Sequence, residues 1–398
     1  VSAPLPRAVR TLGLVSLLTD VSSEMIYPLL PSFLSGVLKA GPAFLGLVEG
    51  AAEAVASVLK AVAGRLSDRA PRRKPFVVFG YGLSTLARPL IALATSPGHV
   101  LAVRLADRFG KGVRSAPRDA LLAAVTPEGE RGRAFGFHRA MDHAGATVGP
   151  LLASALLLAG ADLRAVFALA LLPGLLAVLV LVFRVTEAVG SPPPCPNDRT
   201  AGSAAERLSS PRNLHLYLGV LALFALGNSS DAFLLLRAQE LGVATPFIPL
   251  LWTFHHAVKA AFSTFGGRLS DRAGRRRAIV LGWAVYAAAY LGFARASGAF
   301  AVVLLFALYG LFHALSESPE KAFVADLVEP AHRGRAFGLY HAVTGAMVLP
   351  GNLLTGFLWQ RFGAAAALGT GAALAALAST LLLLAVKEPR VDPRRPRD

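Results

Sequence analysis

Gly64-Arg65-Leu66-Ser67-Asp68-Arg69 recurs as Gly267-Arg268-Leu269-Ser270-Asp271-Arg272, once in each half of a 398-residue chain. A second pair keeps nearly the same offset: Arg131-Gly132-Arg133-Ala134-Phe135-Gly136 returns as Arg333-Gly334-Arg335-Ala336-Phe337-Gly338. Ser22-Ser23-Glu24 resembles Ser229-Ser230-Asp231 at a slightly larger separation. Three matches in one order imply an internal duplication. Parallel repeats of this kind place a binding site where the two copies meet, near the middle of a bilayer.

Composition says what is duplicated. The chain is 54% hydrophobic and 16% charged, with a mean hydropathy of +0.55. Soluble domains carry about 25% charged residues. Ala165 to Phe183 holds no charge at all, and a bilayer span needs about 20 apolar helical residues. Runs of that length predict spans over 11–38, 43–63, 75–95, 99–125, 133–159 and 163–183, then 214–237, 245–265, 278–296, 299–327, 335–359 and 364–386. The expected fold is an all-α membrane protein of twelve transmembrane helices in two pseudo-symmetric six-helix bundles, residues 1–183 and 214–398, the second ending in a short basic tail. Residues 184–213, with Pro192, Pro193, Pro194 and Pro196, read as a flexible cytoplasmic linker.

The net charge of +16 sits in short loops. Gly64 to Lys74 holds Arg65, Arg69, Arg72, Arg73 and Lys74 against Asp68 alone, and Gly267 to Arg277 repeats the bias. This is the positive-inside pattern, and it places both termini in the cytoplasm of a cell with an inner (cytoplasmic) membrane. It explains the basicity without nucleic acid. The single cysteine, Cys195, permits no intramolecular disulfide. The first apolar run carries Asp20 and Glu24 and is longer than a signal-peptide core, so it is expected to be a retained span.

At the repeated loops the chain resembles the major facilitator superfamily, whose members carry a G-x-L-a-D-r-x-G-r-k loop between helices 2 and 3, echoed between helices 8 and 9. The second copy, Gly267 through Arg277, keeps Gly274; the first has Pro71 where the later glycine is expected. In the fifth run, Gly136, Gly145, Gly149 and Pro150 follow G-x8-G-x3-G-P. That spacing looks like the antiporter motif of proton-coupled exporters, although Ala153 and Ser154 replace its final glycines. The fourth run, with Arg104, Asp107, Arg108, Lys111, Arg114, Arg118 and Asp119, is similar to the arginine-containing helix 4 of proton-coupled members but more charged. The resemblance implies a secondary transporter whose helices 1, 4, 7 and 10 line a central cavity.

Ionisable residues inside spans face a cavity or one another. At about 1.5 Å per residue, Asp20, Glu24, Arg108, Lys111 and Arg114 fall near mid-membrane. Two readings of Asp20 and Glu24 follow: they exchange protons or bind a cationic group, or they hold helix 4 by permanent ion pairs. Glu49 and Glu53 match Arg104 and Arg108 in depth and predict a two-rung ladder. His138 and Asp142 share a stripe with Gly145 and Gly149, which suits a proton relay or, for the glycines, close helix packing. Asp231 mirrors Glu24, with Asn228 one turn before it. His255 with Lys259 could bind an anion. His313 and Glu317 have i, i+4 spacing, but without a nearby Cys or a His-x3-His pair no metal is expected. Arg118-Asp119 and Glu320-Lys321 occupy equivalent positions with exchanged signs, as a gate or as solvated helix ends. Asp68-Arg69 and Asp271-Arg272 are the other gating candidates. Each aspartate could accept bonds from the start of helix 11 or helix 5.

No zincin motif, nucleophile elbow or phosphate loop is present, so neither an enzyme nor an ATP-driven pump is expected, and no cofactor. The sequence predicts a monomeric secondary transporter in the lipid bilayer, with a small-molecule substrate and protons as partners and proton-coupled export as its mode. Uptake by proton symport and a non-transporting membrane receptor are the alternatives. Charges of both signs in the cavity suit a polar, zwitterionic or charged solute.

Overall fold

A computed structural model describes residues 5–126, 131–185, 211–328 and 332–388. Every regular element among them is helical. Oil offers no partner for a backbone amide, and a helix satisfies its amides internally. The elements are α1 (Arg7–Ile26), α2 (Leu30–Ser32), α3 (Pro42–Arg69), α4 (Lys74–Ala87), α5 (Pro97–Ala124), α6 (Arg131–Leu158), α7 (Leu163–Leu169) and α8 (Leu171–Arg184). After the linker come α9 (Pro211–Gly227), α10 (Ala232–Glu240), α11 (Ile248–Ala273), α12 (Arg275–Arg295), α13 (Ala299–Asp326), α14 (Arg333–Phe362) and α15 (Ala364–Ala385). The linker expectation falls almost wholly outside the described residues.

Nine helical stretches among the described residues are long and apolar enough to cross a membrane. The long helices missing from that set are α1, α5 and α11. They carry the charged and polar residues that the sequence places in mid-membrane, so hydropathy marks them down for the feature that matters most.

Several predicted spans are broken rather than continuous. The first bends through a 3-10 turn, Tyr27–Leu29, and a π turn, Phe33–Val37, around Pro28 and Pro31, which lack the N–H that an α-helix needs. The third passes into a 3-10 segment, Arg88–Leu93, at Pro89. The sixth breaks at Ala170, where the Pro173 ring would meet the carbonyl of Leu169 four residues earlier. The seventh, expected as one helix, is interrupted at Asn228-Ser229-Ser230-Asp231 with no proline present.

Helix packing repeats as the sequence does. α1 packs on α6 and α8, α3 and α4 on α5; correspondingly α9 packs on α14 and α15, α11 and α12 on α13. Two reciprocal contacts join the two halves of the sequence, α3 with α14 and α6 with α11. At the end where α3 and α11 begin, the halves touch directly. Gln360 Oε1 accepts the Ala43 amide at 3.2 Å, and Ser154 Oγ donates to the Pro246 carbonyl at 2.6 Å. Outward-facing Phe183, Phe300 and Leu384 are more than three-quarters exposed, as a lipid-facing surface requires.

Candidate functional site

A cavity of about 410 Å3 lies between the two halves of the sequence. Its first wall is the polar stripe of α5. Arg104, Asp107, Arg108, Lys111 and Arg114 follow helical spacing and all line the cavity. Two of these charges are paired at short range. Arg104 Nη2 meets Glu49 Oε1 at 2.7 Å, and Arg88 Nε meets Asp107 Oδ1 at 2.7 Å, with all four side chains buried. Arg88 also donates to the Thr19 carbonyl at 3.2 Å, which ties α4 to α1. Arg114 donates to Ser84 Oγ at 2.8 Å and lies over the Tyr81 ring at 4.3 Å.

The predicted ladder therefore has one rung. Glu49 pairs with Arg104, but no ion pair joins Glu53 to Arg108 among the described residues. Both still line the cavity, and the Arg108 Nε is buried without a hydrogen-bond partner. Asp20 and Glu24 line it from α1. Neither forms an ion pair with α5, so permanent pairing with that helix is not what holds them. Glu24 instead accepts the Trp252 indole N–H at 2.8 Å, across the gap from α11.

The second wall is built around the break between α9 and α10. Four consecutive polar residues, Asn228 to Asp231, compete with the helix for their own backbone groups. The freed groups find partners. Ser230 N donates to Asn352 Oδ1 at 2.8 Å, and Tyr286 donates to the Gly227 carbonyl at 2.8 Å. Ser230 Oγ donates to Glu49 Oε2 at 3.2 Å and lies 3.3 Å from the Tyr27 hydroxyl, which joins the walls. Asp231 accepts a hydrogen bond from the Tyr309 hydroxyl. Asn228, Asp231, Trp252, Tyr309, His313 and Asn352 face the cavity.

The sequence profile described as Major Facilitator Superfamily matches residues 12–237 and again 216–398. This chain belongs to the major facilitator superfamily. An MFS-type transporter of Methanocaldococcus jannaschii, itself uncharacterized, is 36% identical over 363 residues, 89% of each chain. The multidrug resistance protein MdtH of Cronobacter sakazakii is 32% identical over 122 residues, 31% of this chain and 30% of its own. Among solved structures, a bacterial homolog of the human lysosomal transporter Spinster, in an inward-facing and occupied conformation, superposes with a TM-score of 0.76. That likeness covers 97% of this chain and 98% of the other at 15% identity, and it concerns the fold.

Several predicted residues of this superfamily member lie away from the cavity. His138 Nδ1 is 3.5 Å from Asp142 Oδ2, and Asp142 also accepts from Ser16, which ties this pair to the α1–α6 seam. The same seam needs Gly145 and Gly149. A Cβ on Gly145 would lie 2.4 Å from the Leu17 carbonyl oxygen, and one on Gly149 2.7 Å from that of Val21. Packing is thus what these glycines do here, with Pro150 beside them in α6. His255 is stacked between Trp252 and Tyr309, with ring centroids 5.4 and 5.1 Å away. Lys259 is held by Glu317 at 2.9 Å, and Glu317 also lies 3.5 Å from Lys321. The anion site expected from His255 and Lys259 is therefore not formed, because a carboxylate already occupies the ammonium. Among the described residues no group of three His, Cys, Asp or Glu is placed to hold a metal.

The gating candidates are also engaged locally. Arg118 pairs with its neighbour Asp119 at 2.8 Å. Glu320 is buried and accepts from Trp283 and Tyr340, each at 2.9 Å. Asp271 meets Arg275 at 2.5 Å, and Arg275 reaches Asp326 at 3.3 Å. Asp271 is therefore tied within its own half. Arg272 is exposed. The side chains of Asp68 and Arg69 lie outside the described residues.

The sequence reading passed over Arg88, Tyr27, Trp252, Tyr309 and Asn352. A signal existed for two of them. Arg88 and Asn352 are polar residues inside otherwise apolar runs, the pattern that marks function in a membrane. The three aromatic residues gave none, since aromatics in a span are ordinarily packing.

Proposed function

We propose that the protein is a secondary active transporter that moves a small organic solute by alternating access, and that it couples export to proton entry. One observation carries this reading: ionisable side chains converge on a cavity between two related halves, which touch through hydrogen bonds at the end where α3 and α11 begin. A wet passage is the environment in which such charges are tolerated. Rocking the halves about the central site would open it to each side in turn.

The carboxylates supply the coupling. Glu24 and Asp231 are held by neutral donors, an indole N–H and a phenol, and have no cation within ion-pair distance among the described residues. Such a carboxylate can gain and lose a proton without breaking an ion pair. Asp20 lies beside them in the cavity lining. Export is supported by the Gly145, Gly149, Pro150 spacing and by the partial likeness to a multidrug resistance protein.

This reading takes the helical elements as twelve membrane passes in two six-helix bundles, residues 1–183 and 214–398, with residues 184–213 as the linker. It places a monomer in the inner membrane with both termini in the cytoplasm. The test is transport into proteoliposomes under an imposed pH gradient, over a panel of solutes. Solute movement should follow the gradient, and Glu24→Gln or Asp20→Asn should uncouple it. Movement indifferent to the gradient and unchanged in both variants defeats proton coupling.

A further inference from the structure

The cavity's charges are unevenly distributed, and the unevenness bears on what it holds. All five cations of the lining, Arg88, Arg104, Arg108, Lys111 and Arg114, come from the first half of the sequence. Three are committed. Arg88 and Arg104 neutralise Asp107 and Glu49, and Arg114 rests on Tyr81 and Ser84. Arg108 and Lys111 remain, one turn apart on α5 and without an ion pair among the described residues. Arg108 Nε is buried and has no acceptor. Lys111 is exposed at the cavity wall. Asp20 and Glu53 line the same cavity and offset these two charges at a distance, without using their hydrogen-bonding capacity. A buried donor left without an acceptor is unfavourable. An oxyanion bridging two neighbouring cations relieves it through charge-assisted bonds.

The facing wall has the opposite character. From the second half of the sequence, Asp231 is the only formally charged residue in the lining. Its carboxylate accepts one bond from Tyr309, and the Trp252 ring lies 5.3 Å from that of Tyr27 in the same cavity. A carboxylate in a cavity that is also lined by aromatic rings suits an ammonium group.

Resting on the transporter reading above, we propose that the substrate is a small zwitterion. Its oxyanion lies between Arg108 and Lys111, and its ammonium lies against Asp231, Tyr309 and Trp252. The ligand spans the two halves, so both of its charges are satisfied only when each half contributes.

The experiment uses the full chain in lipid nanodiscs and reads the shift in unfolding temperature. The probes are short ω-amino carboxylates and ω-aminoalkyl phosphonates, with alkyl carboxylates, alkyl amines and uncharged diols of matched length. Stabilisation should be confined to the zwitterions, and the carboxylate and phosphonate arms identify the oxyanion. Lys111→Gln and Arg108→Gln should each weaken zwitterion binding roughly tenfold. Lys111 is exposed, so its variant also controls for misfolding of the Arg108 variant. Asp231→Asn should erase the preference for an ω-amino carboxylate over the plain carboxylate. Equal stabilisation by single-charge or uncharged probes, no stabilisation by any zwitterion, or unchanged binding in Lys111→Gln would overturn the assignment. A zwitterion that binds but never crosses a proteoliposome membrane defeats the transporter reading and leaves this one standing. A singly charged solute that is transported does the reverse.

Discussion

Glu49 and Arg104 meet at 2.7 Å with both side chains less than a tenth exposed. Two opposite charges removed from water tolerate each other, but either alone would be stranded. Removing one partner of a buried pair costs about 3–5 kcal/mol. We therefore expect Glu49→Gln and Arg104→Gln each to lower stability by about that amount, and the double variant to lose clearly less than the sum. Unfolding of all four proteins in detergent micelles completes the cycle; strict additivity would refute the pairing. This pair was legible in the sequence because depth counted along two helices of known direction brings the residues level. The second rung, Glu53 with Arg108, failed by the same arithmetic, because counting gives height along a helix and not the rotation that aims a long side chain. Arg88 took the acid, Asp107, that the sequence reading had left unassigned, and it does so from the point where Pro89 turns α4 into a 3-10 segment. Side-chain direction at such a change of helix type is not contained in a 3.6-residue period.

Elements explain more of what the sequence could and could not foretell. Long apolar runs fixed where most helices lie, and a run of four small polar residues at Asn228 to Asp231 was a visible warning of a break that had no proline to announce it. The resemblance of Ser22-Ser23-Glu24 to Ser229-Ser230-Asp231 concealed that warning, since the first copy sits inside the intact helix α1 and the second in the gap. The α1–α6 seam can be tested sharply, because the motif glycines differ in surroundings. A Cβ at Gly145 would stand 2.4 Å from a backbone oxygen that cannot move aside, whereas one at Gly136 meets nothing within 4 Å. Gly145→Ala should destabilise the protein by about 1–3 kcal/mol through overpacking. Gly136→Ala should be neutral, or stabilising by up to about 1 kcal/mol from helix propensity. Thermal unfolding of the two variants side by side decides it, and equal effects would show that the seam is not set by this contact.

At the scale of the whole molecule, the duplication is what turns a charged cavity into a machine. Each half repeats one set of helix pairings, and the largest contacts between the halves are reciprocal, α3 with α14 and α6 with α11. Rocking of the halves would need contacts weak enough to part, and two hydrogen bonds at one end of that interface carry no charge. Ala43 N to Gln360 Oε1 is a single backbone-to-side-chain bond, and Ser154 to Pro246 is another. Neither buries a charge, so parting them is cheap compared with parting Glu49 from Arg104. If transport requires that end to open, tying it shut must stop transport without unfolding the protein. The natural chain has one cysteine, Cys195, so a background of Cys195→Ser leaves thiols only where they are placed. With Ala43→Cys and Gln360→Cys added, a short reducible bifunctional thiol reagent should bridge the halves. Solute movement in proteoliposomes should then fall to the background of empty vesicles and return on reduction, while either single-cysteine variant treated identically keeps its rate. Full transport by a quantitatively bridged protein would mean that the solute passes without the halves parting at this end, and alternating access by rocking would have to be abandoned.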